Sequence, residues 1–249
     1  MADKKIKTIV THVNVDADAV VGMCGELHKR DLFPNETTCR FVPAATKVVG
    51  ENELAVDIQA RKHGDADSYV GWQLVNDLPW YVVTEINQQD KYGSTESLIP
   101  IASIINAMKT EGQTDLEIVQ HFYPAVVGWM SFKRLETEAE IIFEKLERVN
   151  IKGYNFILTK NNKNHFVGKV AQREGITGSI FQSDTGWGIT RYAGPTRKPD
   201  LSKLNLPGWF AHPAGFLFCW GSRKSPKVVP PPQFKNVDEF VNWLDKELI

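Results

Sequence analysis

Apolar residues in the first ninety positions fall in three short runs, each followed at once by acidic or imidazole side chains. Ile6-Lys7-Thr8-Ile9-Val10 runs into His12-Val13-Asn14-Val15-Asp16-Ala17-Asp18, and Glu53-Leu54-Ala55-Val56 ends on Asp57. Trp80-Tyr81-Val82-Val83 leads into Glu85 and, through Ile86-Asn87-Gln88-Gln89, to Asp90. Runs of this length predict buried strands. As parallel neighbours they would bring the polar groups to the carboxyl ends of one sheet, where open α/β sheets bind ligands.

The pattern then becomes helical. Leu98, Ile101, Ile104 and Ile105 mark a helix over 97–109 with Pro100 in its first turn, and 115–123 forms another after the break at Gly112. A longer helix over 131–149 carries Leu135, Ala139, Ile142, Phe143, Leu146 and Val149 at three-and-four spacing, its charges on a solvated face. From Asn155 onward short strands are predicted at 156–158, 165–167, 178–181 and 187–192, separated in part by turns such as Asp184-Thr185-Gly186. The expectation is an α/β protein with an N-terminal parallel-sheet domain (1–130), a connecting helix (131–150) and a smaller C-terminal α+β domain (151–249).

Composition narrows the function more than the fold. With 249 residues, 42% hydrophobic and including seven tryptophans, the chain can build two cores. Twenty-nine basic against thirty acidic residues give a net charge of -1, so any nucleic-acid contact must be local rather than a global polycation. Cys24, Cys39 and Cys219 are odd in number and lack CxxC spacing, which points to buried thiols in a reducing compartment and to no thiolate metal site. Without an apolar stretch of about eighteen residues, the expectation is a cytoplasmic protein with no membrane span.

Three ligand-type side chains within His12–Asp18 would repel and desolvate one another if packed without a cation, at several kcal/mol. A divalent ion removes that conflict; the alternative is a solvated turn in which Asp16 or Asp18 caps a helix starting near Ala19. Carboxylates with one or two imidazoles suit Mn²⁺ or Mg²⁺, and Asp57 could bridge two ions.

At these positions the chain resembles the DHH phosphoesterase superfamily. His12-Val13-Asn14-Val15-Asp16-Ala17-Asp18 matches the ligand positions of its first motif, His-x-Asn-x-Asp-x-Asp, and Val56-Asp57 matches the second. The Asp-His-His motif falls at Lys62-His63-Gly64, so one histidine is kept while Lys62 replaces the aspartate and Gly64 the second histidine. Asp90, before Lys91-Tyr92-Gly93, is similar to the fourth motif of the Myg-type branch, DHH-like proteins implicated as RNA exonucleases. The resemblance implies two Mn²⁺ or Mg²⁺ ions, one held by His12, Asp16 and Asp57 and the other by Asp18, Asp57, His63 and Asp90. Asp65 and Asp67 are spare carboxylates, the latter read as a cap for a helix near Ser68.

In the C-terminal third, Trp209-Phe210-Ala211-His212-Pro213-Ala214-Gly215-Phe216 resembles the family's substrate-binding segment, in its Myg-type form rather than the Gly-Gly-His form. Substrate binding is thereby expected at His212, Gly215, Arg223 and Lys224, and catalytic roles at His63 and His212. A histidine in a small-residue turn with Arg223 and Lys224 nearby would make a compact phosphate site. Arg191, Arg197 and Lys198 are further cations, with Tyr192 available to stack on a base. His121 has no assigned role. The implied activity is metal-dependent hydrolysis of phosphodiesters in nucleotides or short oligonucleotides, exonuclease-like. Pyrophosphate or cyclic-dinucleotide hydrolysis, or metal and nucleotide binding without turnover, stand as alternatives; a homodimer is left open.

Overall fold

In a computed structural model the protein is described over residues 6–58, 74–92, 100–194 and 197–248, with the backbone alone for 88–92. The chain divides into two compact units, 1–134 and 135–249.

The first unit is built on strand β1 (Thr8–His12), flanked on both sides by parallel partners β2 (Cys39–Val42) and β3 (Glu53–Ala55). Parallel pairs require long crossovers, and α1 (Ala17–Lys29) supplies the first, between β1 and β2. Every residue of α1 from Ala17 to Leu27 is buried, as expected of a helix apolar on most sides. Val20, Met23 and Leu27 pack with Ile9 and with Ile86, Ile101 and Val119 from the later helices. Fully burying side chains of this size stabilises by about 1.5–3 kcal/mol each.

The run Trp80-Tyr81-Val82-Val83 is not a strand. It opens helix α2 (Trp80–Tyr92), in which Val82 and Ile86 are buried. A four-residue apolar run is common to buried strands and buried helices, and length alone separates them. Helix α3 (Ile101–Thr110) starts later than the expected 97–109 helix, with Pro100 as its N-cap rather than in its first turn; Ile101 and Ile105 are buried but Ile104 is turned outward. Helix α4 (Asp115–Glu144) is one helix of 30 residues, continuing through Pro124 where two separate helices were expected. Ile118, Val119, Phe122 and Val126 are buried on both sides of that proline, and this packing outweighs the lost backbone bond.

The second unit holds a six-stranded mixed sheet in the order β4 (Arg148–Ile151), β5 (Tyr154–Lys160), β6 (Gly178–Ser183), β7 (Gly186–Arg191), β9 (Leu217–Gly221), β8 (Phe210–Ala211). Only β5 and β6 pair in parallel, and α5 (Phe166–Arg173) connects them. The expected strand at 165–167 is thus the start of a helix, and the end of the expected 131–149 helix is strand β4. Helix α6 (Val237–Glu247) packs Phe240 and Leu244 with Phe156, Ile180 and Phe218. The α/β class stands, with a parallel sheet first and a mixed sheet second. Cys24, Cys39 and Cys219 are buried and unbridged, and no helix among the described residues is long and apolar enough to cross a membrane.

Candidate metal centre

The register of the parallel sheet creates the site. Val10 lies level with Ala55 across β1 and β3, so two residues beyond each, at the strand ends, stand His12 and Asp57. The His12 Nε2 lies 3.0 Å from Asp57 Oδ2 and 3.5 Å from Asp16 Oδ1. One potential ligand atom from each of the three falls within 4.8 Å of the others. The backbone at the site is unusual too. Asn14 and Asp57 adopt φ values of 65° and 51°, a left-handed conformation that Asn and Asp tolerate better than other side chains.

Asp16 caps a helix and faces the cluster at once. Its Oδ1 accepts from Ala19 N at 3.2 Å, capping α1, while the same carboxylate faces His12. Asp18, in the first turn of α1, is 5% exposed, and its carboxyl hydrogen-bonds that of Asp16.

Charge in this cluster is arranged around His12. Hydrogen bonds to Asp16 and then Asp57 outweigh burial and push the imidazole pKa up to about 11. Burial alone would raise Asp16, but the hydrogen bond and charge of His12 bring it down to about 2. Asp18 is pushed up to about 8, first by burial and then by the charges of Asp57 and Asp16. In the metal-free protein at neutral pH, then, protons sit on His12 Nε2 and Asp18, in the midst of three carboxyl groups. That is the charge pattern of a site suited to a cation. The donor set, oxygen-rich with one imidazole, fits a hard divalent ion.

Several expected ligands are not brought into view. His63, with Lys62, Asp65 and Asp67, lies outside the described residues, and of Asp90 only the backbone is described, within α2. Glu85, the other candidate acid of that segment, is buried in α2 and accepts from Ile101 N at 2.9 Å, at the start of α3. His121 is exposed beside the Phe122 ring.

In the second unit His212 begins a tight turn. Its N–H donates to Leu217 O at 2.8 Å, and its Nδ1 accepts from Ala214 N at 3.1 Å. That bond requires an unprotonated Nδ1, which leaves Nε2–H as the outward donor of the neutral ring. Phe216 packs on the imidazole at 4.1 Å between centroids. Glycine is favoured at position 215: its φ is 67°, and a Cβ would lie 2.2 Å from Asp200 Oδ1.

Arg223 and Lys224 do not join His212. His212 adjoins Leu217 at the start of β9, whereas both cations lie beyond Gly221 at its other end, roughly 13 Å along the strand. Arg223 instead has its Nη1 3.3 Å from His165 Nε2, and Lys224 is exposed. Arg191 is a cation at the His212 end. Antiparallel pairing of β7 with β9 lets Arg191 N donate to Phe216 O at 2.8 Å. Arg191 is 9% exposed, its Nε has no hydrogen-bond partner among the described residues, and it lines a cavity of about 480 Å³ with Tyr192, Gly194, Arg197, Ala214 and Phe216. Among the basic residues that the sequence offers, Arg191 is brought to the His212 turn by the pairing of β7 with β9.

The class that the structure defines is an α/β scaffold with a carboxylate–imidazole cluster at the carboxyl end of a parallel sheet, suited to a hard cation. No family profile matches the chain, and no curated protein matches it. Among solved structures, it is similar to the pGpG-specific phosphodiesterase PggH from Vibrio cholerae, at 11% identity and TM-score 0.32, covering 97% of this chain and 98% of that one. It is also similar to RecJ from Thermus thermophilus in complex with Mg²⁺ (13% identity, TM-score 0.29) and with Mn²⁺ (12%, 0.27). Each of these covers 88% of the chain, which spans only 47% and 50% of the RecJ chains.

Proposed function

We propose that the protein is a Mn²⁺- or Mg²⁺-dependent phosphoesterase that hydrolyses phosphodiester bonds of nucleotides or short oligonucleotides, acting as an exonuclease in the cytoplasm. The observation that carries this reading is the convergence of His12, Asp16 and Asp57 at the ends of β1 and β3, with ligand atoms within 4.8 Å. These three residues would hold one ion; Asp18, Asp57, His63 and Asp90 are the proposed ligands of a second. Divalent ions in such a centre supply Lewis-acid activation of the attacking water and neutralise charge on the phosphate.

The residues of the chain set the conditions for that chemistry. His12 must give up the Nε2 proton that it shares with Asp16 and Asp57, and Asp18 its carboxyl proton, before either can ligate. In the second unit, Arg191 is the proposed phosphate contact, since a buried guanidinium N–H without a partner costs about 1–3 kcal/mol unless a ligand satisfies it. His212 offers Nε2–H as a neutral donor, and Phe216 and Tyr192 offer faces on which a base can stack. With His212 in that role and Gly215 shaping its turn, Arg191 takes the place first expected for Arg223 and Lys224.

The test is Mn²⁺-dependent hydrolysis of short RNA and DNA oligonucleotides, with a His12→Ala/Asp57→Ala double variant as control. Release of nucleoside monophosphates by the parent and not by the variant is expected. Binding of Mn²⁺ that the double variant abolishes, without turnover of any oligonucleotide, would sink the nuclease reading and leave a small-molecule phosphoesterase or a binding protein.

A further inference from the structure

The turn bearing His12 and Asp16 is held by a residue 101 positions beyond Asn14 in the chain. Asn14 N donates to Asp115 Oδ2 at 2.9 Å and Val15 N donates to Asp115 Oδ1 at 3.1 Å, one carboxylate oxygen for each N–H. Successive N–H groups around a left-handed residue form a concavity that selects an anion, and Asn14 has φ 65°. Asp115 fills it with charge-assisted bonds, stronger than those a neutral acceptor would make.

Asp115 is also the first residue of α4, where a carboxylate commonly serves the helix end. That task is already met by its neighbours. Thr114 N and Oγ1 donate to Glu117 Oε2 at 2.7 and 2.8 Å, and Glu117 N donates to Thr114 Oγ1 at 3.3 Å, a reciprocal capping box. The helix start is thus satisfied by Thr114 and Glu117, and the Asp115 carboxylate is committed to the turn.

We infer that Asp115 is a positioning residue of the metal centre: by clamping the Asn14–Val15 backbone it fixes the left-handed turn that sets His12 and Asp16 on a common ion. The inference rests on the metal-centre reading above. Asp115 acts through the backbone, in the way that groups behind metal ligands hold those ligands in place. Asp115→Asn is isosteric, but its amide nitrogen would set a donor against one of the two N–H groups. Asp115→Ala removes both acceptors.

The experiment is Mn²⁺ titration of the full-length parent, Asp115→Asn, Asp115→Ala and Thr114→Ala, followed by the electron paramagnetic resonance of free and bound Mn²⁺. Metal-free thermal unfolding is recorded in parallel. Both Asp115 variants are expected to bind Mn²⁺ about 10–100-fold more weakly and with an altered bound spectrum. Thr114→Ala, which removes the cap of the same helix, should lower the unfolding temperature and leave Mn²⁺ affinity unchanged. Parent-like affinity in Asp115→Ala overturns the inference, and so does an equal loss in Thr114→Ala, which would trace the effect to the helix rather than the clamp. A parent that binds no Mn²⁺ overturns the metal reading itself, an outcome separate from both.

Discussion

Loading the centre with metal must expel protons, and the number expelled reports which residues ligate. At pH 7 His12, with its pKa near 11, is imidazolium; Asp18, near 8, is mostly protonated; Asp16, near 2, is ionised. A cation among them takes the place of the Nε2 proton of His12 and, if Asp18 ligates, of its carboxyl proton, so Mn²⁺ binding at pH 7 should release about two protons. Affinity then strengthens with pH, by about a hundredfold per unit below pH 8 and about tenfold per unit between 8 and 11, where Asp18 has already ionised. Calorimetric titration in buffers of different ionisation enthalpy gives the count directly, as the slope of apparent binding enthalpy on buffer enthalpy. A release of about one proton that does not change across pH 8 would remove Asp18 from the ligand set. No release at pH 7 would refute the reasoning altogether, because it would mean that the ion binds without displacing the His12 proton.

Other perturbations test separate parts of the structure. The folded pKa of Asp18 is raised, so its contribution to metal-free stability is fully present below about pH 4 and is lost as pH rises toward 8, by up to about 1.4 kcal/mol per pH unit. Asp18→Asn should therefore unfold at a higher temperature than the parent by a margin that widens from about pH 4 to pH 8; a constant margin in thermal scans would show that Asp18 is not held protonated. Gly215→Ala must strain a φ of 67° and push against Asp200 Oδ1, and should cost about 1–3 kcal/mol in urea unfolding, with an unchanged midpoint as the contrary result. Arg191→Ala is expected to raise KM for an oligonucleotide about 10–100-fold, as loss of a charged hydrogen bond does, and to leave Mn²⁺ affinity untouched. A parent-like KM would remove Arg191 from the substrate site.

The sequence by itself determined the parts that local chemistry specifies. A β-branched run ending in His12, an asparagine suited to the left-handed turn at position 14, and Asp16 at the head of an apolar helix are all encoded within a short stretch, and the metal-type cluster could be read from them. Asp57 was legible too, as an acid ending a second apolar run, because the period of a parallel sheet carries the ends of neighbouring strands to one edge. What tertiary structure decided are the pairings between distant segments. Four apolar residues at Trp80–Val83 fit strand and helix alike until packing on α1 resolved them. His212 and Arg223 are close in sequence yet stand at opposite ends of β9, while Arg191, 21 positions before His212, reaches the His212 turn through the β7–β9 pairing. Asp115 carries no motif at all. Its carboxylate meets the Asn14 and Val15 N–H groups only because the start of α4 reaches the turn, and no periodicity or spacing in a chain records which of its many carboxylates will find two backbone donors once the fold has closed.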